Sequence, residues 1–237
     1  MSKKAVFFDM DGTLLPMNAE AFTKAYFKGL SKKLAPRGYE PQTLTDGVWK
    51  GTAVMVKNDG KLTNEQAFWK EFSSLFGERV YENIKYFDEF YRTDFGDIKS
   101  VCGYNEKVSA AVKAIRADGF AVVLATNPIF PMIAQERRLS WSGVDRSDID
   151  YITSYENSHY CKPNTDYYNE ILSVLGLDAK DCTMVGNDVG EDMVAQKIGM
   201  KVFLLTDCLI NRAGEDINRY PHGGFDELME FLGLRYN

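Results

Sequence analysis

The chain has 237 residues, 45% hydrophobic and 13% aromatic, enough to bury a full core in one large domain or in a domain with a smaller companion. Its 28 Lys and Arg against 34 Asp and Glu give a net charge of -6, so there is no basic field for phosphodiester backbones and nucleic acid is excluded as a bulk partner. Cys102, Cys161, Cys182 and Cys208 are scattered singly and read as reduced thiols, and no apolar run approaches the roughly 20 residues of a membrane helix, which together point to a cytoplasmic protein.

Met1 to Lys4 leads into a strand rather than a signal peptide. That strand, Ala5-Val6-Phe7-Phe8, is a short apolar run stopping at Asp9, as expected of a buried parallel strand whose carboxyl end opens into a loop. Asp9 and Asp11 flank Met10, and a strand period of two aims both carboxylates to one side. Two like charges about 4 Å apart cost on the order of 4 kcal/mol at an effective dielectric of 20, so the pair calls for a cation or a shared proton, and a hard divalent ion is the simplest relief. Gly12 and Thr13 add a tight turn, a hydroxyl and backbone N–H groups able to cradle an anion, although a lone Asp-Gly is usually only a turn.

From Pro16 to Asp97 the pattern changes to apolar residues at helical spacing. Phe22, Tyr26 and Leu30 share one face, as do Phe68, Phe72 and Phe76, while Val80, Ile84, Phe87 and Tyr91 form a further stripe. Three or four helices therefore make an inserted bundle over residues 16–97, and its aromatics are read as packing groups.

Strand and helix signals alternate thereafter. Strands are expected at Ala121–Ala125, Tyr151–Thr153, Cys182–Val185 and Val202–Leu205, and helices at Asn105–Asp118, Pro131–Leu139, Thr165–Leu175, Asp192–Ile198 and Phe225–Leu232. The fold class is α/β, a doubly wound parallel sheet formed by residues 1–15 and 98–237 with the helical insertion between. Thr126 and Asn127 fall where the second strand runs out, where a hydroxyl and the following amides can point at an anion. Lys162 precedes Pro163 and a helix start, a setting that can hold its ammonium inward. Asn187 and Asp188 follow the fourth strand, and Asp192 lies four residues beyond Asp188, on the same side of a helical start. Acidic residues also stabilise helix N-termini, which suffices for Glu191. His159 and His222 lack ligand spacing and are read as surface or packing residues.

Phe8-Asp9-Met10-Asp11-Gly12-Thr13-Leu14-Leu15 resembles the first motif of the haloacid dehalogenase superfamily, Asp-x-Asp-Gly-Thr after a hydrophobic strand. Thr126 resembles its second motif, the run from Ser154 through Cys161-Lys162-Pro163 its third, and Val185 through Asp192 its fourth, all in family order. The resemblance implies a Rossmann-like core and a phosphohydrolase acting on a small phosphorylated metabolite, with Asp9 as nucleophile and Asp11 as general acid and base. Thr126, Asn127 and Lys162 would bind the transferring phosphoryl group. Magnesium would be held by Asp9, the Asp11 backbone carbonyl and Asp188, while Asp192 and Asn187 would orient a metal-bound water or the lysine. With about 80 residues between the first two motifs, the insertion matches a helical cap of the first type. A sugar phosphomutase would keep every one of these residues. A dehalogenase of the superfamily would lack Asp11, and a receiver-type phosphorylation switch would carry its phosphorylated Asp on a later strand.

Overall fold

A computed structural model describes residues 4–236, so Met1 to Lys3 of the expected lead-in lie outside the described residues. The sheet has six parallel strands in the order β3-β2-β1-β4-β5-β6. They are β1 (Ala5–Phe8), β2 (Ala121–Leu124), β3 (Tyr151–Ile152), β4 (Cys182–Gly186), β5 (Lys201–Leu205) and β6 (His222–Gly223). The first five coincide with the expected strands to within a residue at either end. β6 was not expected, because two residues flanked by Pro221 and Gly224 carry a turn signal rather than a strand signal.

Four helices follow β1: α1 (Ala19–Leu34), α2 (Pro41–Val56), α3 (Asn64–Phe76) and α4 (Arg79–Arg92), with a 3-10 turn over Asp94–Val101 leading back to the sheet. The remaining helices are α5 (Glu106–Ala117), α6 (Met132–Trp141), α7 (Thr165–Leu175) and α8 (Phe225–Leu232). Side-chain caps explain several starts: Asn18, Thr63, Asn105 and Asn164 each accept a backbone N–H of the first turn. The helix expected over Asp192–Ile198 is instead a 3-10 segment, Met193–Ile198. It is six residues long, closes on Gly199 in the left-handed region, and has no cap because the Asp192 carboxylate is turned inward to Lys162.

Side chains alternate across each strand and so build two cores. Ala5, Phe7, Val123, Met184 and Leu204 pack against α7 and the Met193–Ile198 turn. Val6, Phe8, Leu124, Val185 and Phe203 pack with α5, α6 and α8 in an apolar cluster that continues without interruption into α1–α4. A second seam joins the insertion to the sheet: Asn64 and Glu65 donate their backbone N–H groups to the Ser158 and Tyr155 carbonyls, both at 2.8 Å. The buried Asn64 side chain adds bonds to the Pro128 and Tyr160 carbonyls at 3.2 and 3.4 Å. The start of α3 is thus fastened to the loop that carries Lys162.

Candidate active site

In this strand order β1 is flanked by β2 and β4, and the chain winds away from β1 in opposite directions on the two sides. The carboxyl edge there forms the crevice where ligands settle in open α/β sheets. Register places Phe8 beside both Leu124 and Val185, so the segments that follow, Asp9-Met10-Asp11, Ala125-Thr126-Asn127 and Gly186-Asn187-Asp188, emerge side by side. The ladder extends just far enough to aim them: Asp9 donates its N–H to the Val185 carbonyl at 2.9 Å, and Ala125 donates to the Phe8 carbonyl at 2.7 Å.

The first loop is shaped by Gly12, whose φ of 87° disfavours any side chain and whose absent Cβ leaves room for the Asn187 amide. Thr13 Oγ1 donates to Asn187 Oδ1 at 3.0 Å, and Asn187 Nδ2 donates to the Cys208 carbonyl at 2.7 Å. Asn187 therefore ties the Asp9 loop to the loop after β5. The backbone N–H groups of Met10, Asp11, Thr126 and Asn127 have no backbone acceptor among the described residues, so they are free to meet an anion.

Lys162 is 1% exposed and is the positive centre of the site. It donates to Asp9 Oδ1 at 2.8 Å and to Asp192 Oδ1 at 2.7 Å. Burial alone would lower the lysine pKa, but the charges of Asp192 and Asp9 outweigh it and hold the group well above its ordinary value. Burial, together with the charge of Asp9, raises the Asp192 carboxyl against the pull of Lys162. Asp192 Oδ2 also accepts the Asp188 N–H at 3.0 Å. A side chain at Gly186 would occupy the space of the Asp192 carboxylate, so this glycine admits the acid that orients the lysine.

Asp188 Oδ1 accepts the N–H groups of Gly190 and Glu191, and Oδ2 pairs with Arg212 at 2.6 Å. Glu191 stands at no helix start; its carboxylate accepts from Asn127 Nδ2 at 3.2 Å and so bridges the second and fourth motifs. Asn127 Oδ1 is buried without a partner and Thr126 is 2% exposed. The Thr126 carbonyl is anchored by Thr153 Oγ1 at 2.7 Å and Tyr167 OH at 2.8 Å.

Arg138 was not expected among the site residues. This α6 side chain, 0% exposed, grips both carboxylate oxygens of Asp11 at 2.7 and 2.5 Å, stacks its guanidinium 4.7 Å from the Phe130 ring centroid, and donates to Gln135. The sequence does carry a sign of it: helical spacing puts Ala134, Arg138 and Trp141 on one face, and an arginine on an apolar face needs a buried partner. The Asp11 carboxylate is 39% accessible because it faces a cavity, yet protein surrounds that cavity. Burial raises its pKa, Arg138 opposes this and Asp9 adds to it, and the net direction is upward.

A metal fits this donor set in kind. Asp9 and Asp188 offer hard carboxylate oxygens, and the only cation on Asp188 among the described residues, Arg212, is 71% exposed and free to swing into water. Among the described residues no three His, Cys, Asp or Glu side chains are gathered into a cluster.

The chain is similar to known proteins over most of its length. The family profile described as haloacid dehalogenase-like hydrolase matches residues 3–198. Glyceraldehyde 3-phosphate phosphatase of Methanothermobacter thermautotrophicus is 24% identical, with 91% of each chain covered. Among solved structures, the HAD-hydrolase YfnB of Bacillus subtilis, crystallised bound to magnesium, has a TM-score of 0.56 at 18% identity, covering 98% of this chain and 99% of that one. The 2-haloacid dehalogenase of Pseudomonas syringae has a TM-score of 0.60 at 21% identity, covering 98% and 99%. On the match over most of its length, the chain belongs to the haloacid dehalogenase-like hydrolases, a family in which its relatives include phosphatases.

Proposed function

We propose that this protein is a magnesium-dependent phosphohydrolase that cleaves a small phosphate monoester through a phosphoryl group carried on Asp9. The observation that carries this reading is the buried triad Asp9, Lys162 and Asp192 at the carboxyl edge of β1, beside unclaimed backbone N–H groups. A buried lysine locked between two carboxylates needs a further function to justify its cost, and neutralising a phosphoryl group next to a nucleophile supplies one.

In the first step a carboxylate oxygen of Asp9 bonds to phosphorus as the bond from phosphorus to the ester oxygen breaks, and Asp11 gives the departing alkoxide its proton. In the second, Asp11 takes a proton from water, whose oxygen attacks phosphorus and releases orthophosphate from Asp9. The balance is one ester and one water to one alcohol and one phosphate. Lys162 offsets the charge of the phosphoryl oxygens, Thr126 and Asn127 fix their orientation, and Asp192 holds Lys162 in place. Magnesium, held by Asp9, Asp188 and the Asp11 carbonyl, would neutralise the dianion and orient it for in-line attack. Residues 16–97 act as a helical cap that closes over Asp11 and excludes bulk water.

Asp11 favours a phosphatase over a dehalogenase, since only the former must protonate a leaving alkoxide. Orthophosphate release from an aryl phosphate with magnesium tests the reading. Asp9→Asn should lower kcat at least about a thousandfold, in the range seen when a covalent nucleophile is lost. Near-normal turnover in that variant would refute the nucleophile.

A further inference from the structure

A partly open cavity of about 210 Å³ lies between the cap and the sheet, with Asp11 at its floor. Its walls are mostly apolar. Tyr26, Trp49, Phe68, Trp69 and Phe130 line it, with further apolar side chains from α1, α2, α4 and the Tyr155 loop. Asp11 is the only charged residue lining it, and no lysine or arginine does so among the described residues. Arg138 stands behind the Phe130 ring and is spent on Asp11 and Gln135. Some of the polar atoms in the wall are consumed. The Tyr26 and Tyr91 hydroxyls bond each other at 2.8 Å, and Thr52 Oγ1 donates to the Val48 carbonyl. The Trp69 indole N–H is buried near the Tyr155 hydroxyl but outside hydrogen-bond geometry.

Resting on the phosphohydrolase reading, we infer that the leaving group this cavity takes is apolar, an aromatic or short branched-chain alcohol esterified to a single phosphate. Asp11, the proposed proton donor to the ester oxygen, is part of the cavity wall, so the alcohol half of the ester must occupy this space. A carboxylate there would find no cation in the lining, and a polyhydroxylated chain would exchange its water for only a few unpaired donors, chiefly Thr23, Trp69 and Tyr155. The volume, below the roughly 300–1,000 Å³ of drug-sized ligand sites, suits one ring or a short chain.

The test is kcat/KM for orthophosphate release with magnesium along the series from methyl to pentyl phosphate and for 2-phenylethyl phosphate, set against glycerol 3-phosphate, glyceraldehyde 3-phosphate and phosphoglycolate. The leaving alcohols of the series are of similar acidity, so the comparison reads binding rather than intrinsic reactivity. Each methylene should raise kcat/KM by about fourfold until the cavity fills, and 2-phenylethyl phosphate should exceed glycerol 3-phosphate by at least about tenfold. Thr23→Trp, which narrows the cavity from its half-buried α1 wall, should reduce 2-phenylethyl phosphate turnover more than methyl phosphate turnover. Polar esters hydrolysed as well as or better than 2-phenylethyl phosphate would overturn the inference and leave the phosphohydrolase standing. Failure to hydrolyse every ester and acetyl phosphate as well would overturn both.

Discussion

Arg138 and Asp11 form a pair whose partners have unequal surroundings. Arg138 is wholly enclosed, whereas the Asp11 carboxylate keeps 39% of its accessible surface by facing the cavity. Removing one partner of a buried ion pair costs about 3–5 kcal/mol when the other charge is left enclosed. Asp11→Ala strands the enclosed guanidinium, so it should cost stability at the upper end of that range, while Arg138→Met leaves a carboxylate that can still be solvated and should cost about half as much. Urea unfolding midpoints of the two variants check the order. The reverse order would mean that Arg138 is solvated when Asp11 is absent. The carboxylate pair at Asp9 and Asp11 was legible in the sequence, because two charges one residue apart on a strand demand relief. What relieves Asp11 was not, since Arg138 lies 127 positions away and only the packing of α6 against the Asp9 loop brings them together.

At the scale of elements, what was readable depended on how local the signal was. The strands β1, β2, β4 and β5 are apolar runs ending in turns, and α1, α3, α5 and α7 start at side-chain caps, so both follow from neighbouring residues. β6 and the Met193–Ile198 turn do not: the first exists only because Thr206 and Leu204 bond across to it, and the second because Asp192 is drawn inward. Gly186 shows the same limit, reading as the end of a strand when its absent side chain is what admits Asp192. Gly186→Ala should cost about 1–3 kcal/mol by overpacking and displace Asp192 from Lys162. Activity should fall more steeply than thermal stability, measured as kcat beside Tm on one preparation. A fully active variant would show that Asp192 does not position the lysine.

Across the whole molecule, the insertion and the sheet share one apolar cluster. Phe22, Tyr26, Phe90 and Phe95 of the insertion continue into Phe130 and Trp141 of the sheet layer, with Phe95 stacked on Trp141 at 5.2 Å between ring centroids. Each such ring buried contributes about 1.5–3 kcal/mol, which neither part would retain if exposed alone. The insertion and core should therefore unfold together. In Trp141→Phe the remaining indoles, Trp49 and Trp69, both lie in the insertion, so their fluorescence and far-UV circular dichroism should trace coincident urea transitions. An earlier fluorescence transition would mean that the insertion folds as a separate unit. The run of helices after β1 was legible from the change of periodicity at Pro16, but not the cavity, because residues read as packing groups also face an empty space.

The proposal for the molecule as a whole comes down to where the phosphoryl group goes. Quenching the enzyme during turnover with magnesium and 2-phenylethyl or acetyl phosphate, reducing any acyl phosphate with tritiated borohydride and mapping the labelled peptide asks this directly. The account predicts label on Asp9 alone, absent without substrate and absent in Asp9→Asn. Steady turnover with no label on Asp9, or with label on another residue, would contradict it.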